Sequence, residues 1–481
     1  MSTAENTQAQ VMQQHVEHVW ETEVLPSLMD YIAIPCVSVH FDPKWREHGH
    51  LDQAVEHIRS WCAARTIAGL SVEVLELEGR TPLILIEVPA FLPEQHTAPS
   101  NDTVLLYGHC DKQPEMVGWR EDLGPWKPVL EGHKLFGRGG ADDGYAAYAA
   151  LLAIEAAQLG GVPHARCVVL IEAAEESGSP DLPVYMEAFA DRIGTPSLVV
   201  CLDSGCLDDQ RLWVTTSLRG LAAGTLRVDV LREGVHSGSA SGVVPSTFRI
   251  IRQLLDRIED AETGRVLLPR LHVDIPADRR AQIEETASDF TIGDDFPWVH
   301  EHVKPMETDP VEQLLSTTWR PTVSYIGAEG MPDVPMAGNV LRPQTTLQVS
   351  VRLPPTCDPD VALEELTNAL TSDPPYNAKV QFLDGQSGPG WNAPAFAPWL
   401  DAALTEASLI AFGQPHRAFG EGGSIPFMGM LGHRFPEAQF VVTGALGPDS
   451  NAHGPNEYLD VPTARKITLC VAHLLHAHAT R

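Results

Sequence analysis

The feature that most constrains this chain is a set of short apolar runs, each ending in a residue that binds metals or protons. Thr103–Tyr107 runs into Gly108-His109, with Asp111 just beyond. Cys167–Glu172 leads to Glu175 and Glu176. Ser197–Leu202 ends at Asp203, and Gln439–Thr443 is followed by a loop carrying His453. Between the first two, the Gly-rich turn Gly137-Arg138-Gly139-Gly140 holds Asp142 and Asp143 and opens an Ala-rich helical stretch from about Tyr145 to Leu159. Continuous apolar strands of this length fit a sheet buried on both faces. Their alternation with helical segments predicts an α/β fold with a mostly parallel central sheet flanked by helices. In such sheets ligands collect at the carboxyl ends of the strands, so imidazoles and carboxylates are delivered to one edge.

Two further strands, Ser71–Leu77 and Leu83–Val88, and helices over Gln8–Tyr31 and Leu51–Arg65 complete the first part, residues 1–212. After Leu212 the texture changes. Alternating Gly220–Leu231, helix-like Ser246–Ile258, strands near Thr322–Gly327 and Thr345–Leu353, helix Asp360–Leu370 and a last strand Ala378–Leu383 read as a small α+β sandwich inserted at 213–385. Leu268–Pro310 reads as irregular, and Gly385–Pro394 as the return linker. The α/β texture resumes over 386–481 with helix Ala397–Phe412 and a final helix from Val461 to about His476. With 481 residues, 43% of them hydrophobic, the chain is long enough for two cores.

A net charge of −31 excludes nucleic acid and anionic membrane as expected partners. None of the eight cysteines forms a CxxC pair, and several sit in apolar runs, which fits free thiols in a reducing compartment. Met1–Val16 has no apolar signal region and no run reaches the length of a membrane span, so a cytoplasmic protein is expected.

Taken singly these residues are weak signals: an Asp-Asp pair before a helix is a common cap, and Glu-Glu is ordinary on a surface. Their joint placement at strand ends is what argues for a site. Asp142, Glu176 and Asp203 bring three negative charges, and a hydroxide would make a fourth, balancing two divalent cations. Imidazole and carboxylate donors suit zinc, with manganese or cobalt as alternatives. Paired metals need a bridging carboxylate. Asp111 is placed to orient His109 through its second ring nitrogen. Glu175, next to a ligand yet free of the metal, is the candidate general base. His473, His476 and His478 read as cations favoured by a helix C-terminus.

The set Gly108-His109-Cys110-Asp111, Gly137-Arg138-Gly139 with Asp142-Asp143, Glu175-Glu176-Ser177-Gly178, Asp203-Ser204-Gly205 and His453 resembles the co-catalytic dinuclear metallopeptidases that include cytosolic nonspecific dipeptidase, carnosinase, acetylornithine deacetylase and succinyl-diaminopimelate desuccinylase. Ser217-Leu218-Arg219-Gly220, Gly234-Val235-His236-Ser237-Gly238 and Gly420-Glu421-Gly422-Gly423-Ser424-Ile425-Pro426 are most similar to the dipeptidase branch. The resemblance implies that Asp142 bridges two metals, with His109 and Asp203 on one and Glu176 and His453 on the other. It implies that Glu175 activates a metal-bridging water and later protonates the leaving amine. The inserted domain would be a lid and dimerisation domain, with His236 stabilising the oxyanion in the partner subunit. Arg352, Gly423 and Ser424 would hold the substrate carboxylate. Gly144-Tyr145 departs from the Lys-Gly usual in the family, which bears on local packing or substrate preference.

The activity expected is hydrolysis of dipeptides or short peptides with a free C-terminal carboxylate, by a homodimer. Its alternatives are an N-acyl-amino-acid deacylase or desuccinylase of the same mechanism, and an inactive relative used for binding.

Overall fold

A computed structural model describes residues 3–93, 102–294, 296–423 and 425–481. The chain divides into two compact units: unit 1 is Met1–Thr215, Ala393–Ala418 and Met430–Arg481, and unit 2 is Thr216–Asn392 with Phe419–Gly429. Phe419–Gly429 thus groups with unit 2, whereas the sequence reading placed it within 386–481.

In unit 1 the strands run in the order Ser71–Leu75, Leu83–Val88, Arg166–Glu172, Thr103–His109, Pro196–Cys201, Gln439–Val442, and then the strand that begins at Trp213. The four central strands are parallel. Every residue of Thr103–His109 is buried, as the apolar run requires. Their register aligns the carboxyl ends: His109 lies opposite Glu172, Tyr107 opposite Cys201, and Val442 opposite Cys201. The mostly parallel α/β sheet expected from the sequence is present.

Helix Ala146–Leu159 is buried on every side from Ala146 to Ala157. Its alanines allow close approach, and it packs with Thr3–Val19 and Val461–Thr480. The N-terminal helix is not continuous over Gln8–Tyr31: a wider turn at Trp20–Val24 separates Thr3–Val19 from Leu25–Ile32. Trp20 is buried there and donates to Thr468 Oγ1 at 3.0 Å. Among the described residues no helix is long and apolar enough to cross a membrane.

Unit 2 holds an antiparallel sheet ordered Thr322–Glu329, Gln344–Leu353, Gly220–Asp229, Lys379–Gly388. Strict alternation of burial along Gly220–Asp229 puts Ala222, Leu226 and Val228 into a core with Ile250, Ile251, Leu254, Leu366 and Leu370 of helices Thr247–Leu255 and Pro359–Thr371. Two expectations need correction. Leu268–Pro310 contains the helix Ala277–Ala287, which the apolar pattern misses because its buried face is Arg279, Ile283 and Thr286. Gly385–Pro394 is not a linker: the strand Lys379–Gly388 continues into it, and Trp391–Asn392 forms another short strand.

Candidate metal centre

The carboxyl ends of the parallel strands in unit 1 bring His109, Asp142, Glu175, Glu176, Asp203 and His453 together. Asp142 sits between two imidazoles: its Oδ1 is 3.2 Å from His109 Nε2 and its Oδ2 is 3.0 Å from His453 Nε2. His109 Nε2 also lies 3.8 Å from Asp203 Oδ2, and His453 Nε2 lies 3.4 Å from Glu176 Oε2. The possible ligand atoms form two overlapping groups, each within 4.8 Å: His109, Glu175 and Asp203 in one, His109, Asp142 and Glu176 in the other. His109 and Asp203 are buried, whereas His453 is exposed in a loop and adopts φ 64°.

Asp111 is fully buried and serves both sides of the cluster. Its carbonyl is 3.1 Å and its Oδ1 3.4 Å from His109 Nδ1. Its two carboxylate oxygens accept from the backbone N–H groups of Glu175 at 3.1 Å and Glu176 at 3.0 Å. One side chain therefore orients the imidazole and pins the turn that carries both glutamates. Neither Asp142 nor Asp143 caps the following helix, where no side-chain cap bond is made. Asp143 instead accepts from the backbone N–H of His109 at 3.2 Å, beneath the cluster.

The electrostatics show what the cluster is suited to hold. Burial, and then the charge of Asp203, push the Glu175 carboxyl well above its ordinary range; burial and Asp142 do the same to Glu176. Asp142 goes the other way: against the effect of burial, hydrogen bonds from His109 and His453 hold it low. Burial opposes the charged form of His109 too, but Asp203, Asp111 and Asp142 raise it well above the usual histidine value. Carboxylates crowded at this density strain against one another unless cations sit among them. Oxygen and imidazole donors, with Asp142 offering one oxygen to each side, fit a pair of divalent ions.

Several supporting residues escaped the sequence reading. Gln113 donates to Glu176 Oε2 at 2.6 Å. Arg138 and Glu457 form a fully buried pair at 2.5 Å. Arg138 also donates to the carbonyls of His453 at 3.1 Å and Gly454 at 2.9 Å, while Glu457 accepts from Gly139 N–H at 2.8 Å. This pair fastens the His453 loop to the Gly-rich turn ahead of Asp142. Removing one member of such a buried pair costs about 3–5 kcal/mol. The signal available was spacing: Gln113 is four residues past His109, and Glu457 four past His453.

Tyr145 is fully buried and donates to the carbonyl of Leu202 at 2.5 Å, directly before Asp203. Gly144 could not be anything larger, since a Cβ there would meet Tyr31 Cε1 at 2.2 Å and the Gly139 carbonyl at 2.5 Å. Two of the C-terminal histidines, His473 and His478, are not helix-end cations. His478 is buried with its Nε2 2.9 Å from Ser197 Oγ, and burial lowers both His473 and His478 to about 4.

The remaining site residues lie in unit 2. His236 is exposed at the end of a two-residue strand, and its Nδ1 accepts from Gly238 N–H at 3.1 Å. Arg352 is partly buried on Gln344–Leu353, opposite Leu221 on one side and Thr322 on the other. Gly423 is exposed, and its carbonyl accepts from Arg219 N–H at 3.1 Å. Ser424 lies outside the described residues.

Among curated proteins the chain is similar to the cysteinylglycine-S-conjugate dipeptidase of Corynebacterium striatum, 27% identical over 380 residues, covering 78% of this chain and 80% of that one. It is similar to the Beta-Ala-His dipeptidase of Mus musculus, 26% identical over 374 residues, covering 74% and 72%. Among solved structures, the di-peptidase Dug1p from Saccharomyces cerevisiae superposes with a TM-score of 0.77 at 21% identity, over 98% of this chain and 99% of that one. Human carnosine dipeptidase 1 does so at 0.73 and 21%, over 98% and 100%. These two likenesses establish a shared fold. The model of peptidase family M20/M25/M40 matches residues 105–477, and the chain belongs to that family.

Proposed function

We propose that this protein is a dinuclear metal-dependent dipeptidase. The observation that carries the reading is Asp142, whose two oxygens face His109 and His453 separately. Asp142 would be shared by two ions, His109 and Asp203 would complete one set of ligands, and Glu176 and His453 the other. Zinc is the first choice for this donor set, with manganese or cobalt as alternatives. When bound, the two ions would supply Lewis acidity toward the scissile carbonyl and the attacking water.

The chain's own residues do the rest. Glu175 takes a proton from the attacking water and returns it to the leaving amine; its buried setting, beside Asp203, favours a carboxyl able to hold a proton. Asp111 keeps His109 and the Glu175-Glu176 turn in register with each other. Arg352, with Gly423 and Ser424, anchors the carboxylate of a small peptide, the bidentate task for which arginine is suited. His236 donates to the oxyanion in the active site of a partner subunit.

Unit 2 is read as lid and dimer interface. In support, its outer strand Thr322–Glu329 leaves Ile326 61% exposed, and Val334 and Met336 close by in sequence are 89% and 79% exposed. The eight cysteines are all free and buried, which supports a cytoplasmic setting. The test is a screen of metal-reconstituted protein against a dipeptide library and a matched set of N-acyl amino acids. Dipeptide turnover is expected; turnover of the N-acyl set alone overturns the reading.

A further inference from the structure

Arg219 and Arg352 are neighbouring cations in unit 2. Arg219 Nη1 donates at 2.9 Å to Oγ1 of Thr322, the residue directly opposite Arg352 across the sheet. Neither guanidinium has an acidic partner among the described residues. Arg219 is well enclosed all the same. Its Nε donates to the Gly422 carbonyl at 3.1 Å, its backbone N–H to the Gly423 carbonyl at 3.1 Å, and Nη1 also reaches the Ser316 carbonyl at 3.4 Å. A Cβ at Gly422 would stand 3.1 Å from Arg219 Nη2, so glycine is what lets this turn lie against the guanidinium. Arg219 also forms part of the wall of a cavity of about 620 Å³ in unit 2, lined further by Arg265, His272, Glu307 and Arg320, the last of these paired with Glu312.

Two partly buried arginines that influence one another without a carboxylate are costly, and an anion would relieve that cost. Burial and the neighbouring Arg352 pull Arg219 down to about 10, which records that cost. A merely structural clamp on two carbonyls would not call for a second cation beside it.

We propose that Arg219 is a positioning residue for the substrate carboxylate: it fixes the Gly422-Gly423 turn and adds a second positive charge beside Arg352. This rests on the reading of Arg352 as the carboxylate partner. On that reading the carboxylate meets a rigid turn and a doubled field, so Arg219 contributes to ground-state binding and leaves the chemical step alone. Its fork is essential because it spans the carbonyls of Gly422 and Ser316, which an ammonium group cannot do.

The experiment compares full-length, metal-loaded Arg219→Met, Arg219→Lys and Arg352→Met on the best substrate in its free-carboxylate and C-terminally amidated forms, with thermal melts alongside. For Arg219→Met the expected result is a roughly tenfold or greater rise in KM for the free carboxylate. Its kcat should stay within about threefold, and kcat/KM should fall clearly less on the amide than on the free carboxylate. Arg219→Lys should stay nearer to Arg219→Met than to the parent, and it carries the test if the methionine variant does not fold. Equal losses on both substrates, a fall in kcat alone, or a parental KM in Arg219→Lys overturns the proposal. Arg352→Met tests the underlying reading separately. If it keeps full preference for the free carboxylate, Arg352 is not the anchor, whatever Arg219 does.

Discussion

The two units each gather like charges in a partly buried place, and the charges are opposite. In unit 1, Asp142, Glu175, Glu176 and Asp203 crowd around two imidazoles, and burial with mutual repulsion raises both glutamates. In unit 2, Arg219 bonds to Thr322, the residue opposite Arg352, and burial lowers both arginines. Elsewhere the chain compensates its buried charges locally: Arg138 pairs with Glu457, Arg65 with Glu155, and Lys112 donates to the carbonyls of Tyr31, Ile32 and Ile34. The unpaired clusters are therefore exceptions with a direction. On the function proposed above, one would hold cations and the other the free carboxylate of the substrate.

The largest effect that can break this comparison is on catalysis. Glu175→Gln should lower kcat by ~10²–10⁴-fold, with bound metal, measured by elemental analysis, retained. A variant with parental kcat would remove Glu175 from the reaction. Next comes the response to metal. Adding zinc or manganese to chelated protein at about a thousand times Kd should stabilise it by about 4 kcal/mol. In hydrogen exchange the gain in protection should fall on Thr103–His109 and the Glu175–Ser177 turn, and leave Gly220–Asp229 unchanged. Equal protection in both units would mean that the cation site is not confined to the carboxylate cluster.

The smallest effect separates the cluster from the rest of unit 1 under acid. His473 has a folded pKa of about 4 against an ordinary value of 6.5, because burial disfavours its charged form. Its contribution is complete above pH 6.5 and is lost as pH falls toward 4, where only the unfolded chain is protonated. The loss is up to about 3 kcal/mol. His473→Phe should flatten the stability profile of the chelated protein over that window; an unchanged profile in denaturant titrations at pH 7 and pH 4 refutes it.

The sequence by itself determined the α/β character, because short continuous apolar runs such as Thr103–Tyr107, alternating with helical segments, fit the strands of a doubly covered sheet. It also determined which residues stand at the strand ends, since a strand's last residue is fixed by where its apolar run stops. It failed where burial is made from polar atoms. Helix Ala277–Ala287 hides Arg279 and Thr286, and no hydropathy pattern reports that. It also misjudged His473 and His478, whose charge depends on what packs around them. Only the tertiary structure decided the division of labour. It turned the oxygens of Asp142 toward two imidazoles contributed by residues 109 and 453. It gave Asp111 both the His109 ring and the Glu175-Glu176 turn, and it set Arg219 against a loop two hundred residues away in the chain. Distances of about 3 Å between groups far apart in sequence are products of packing, and spacing along a chain does not encode them.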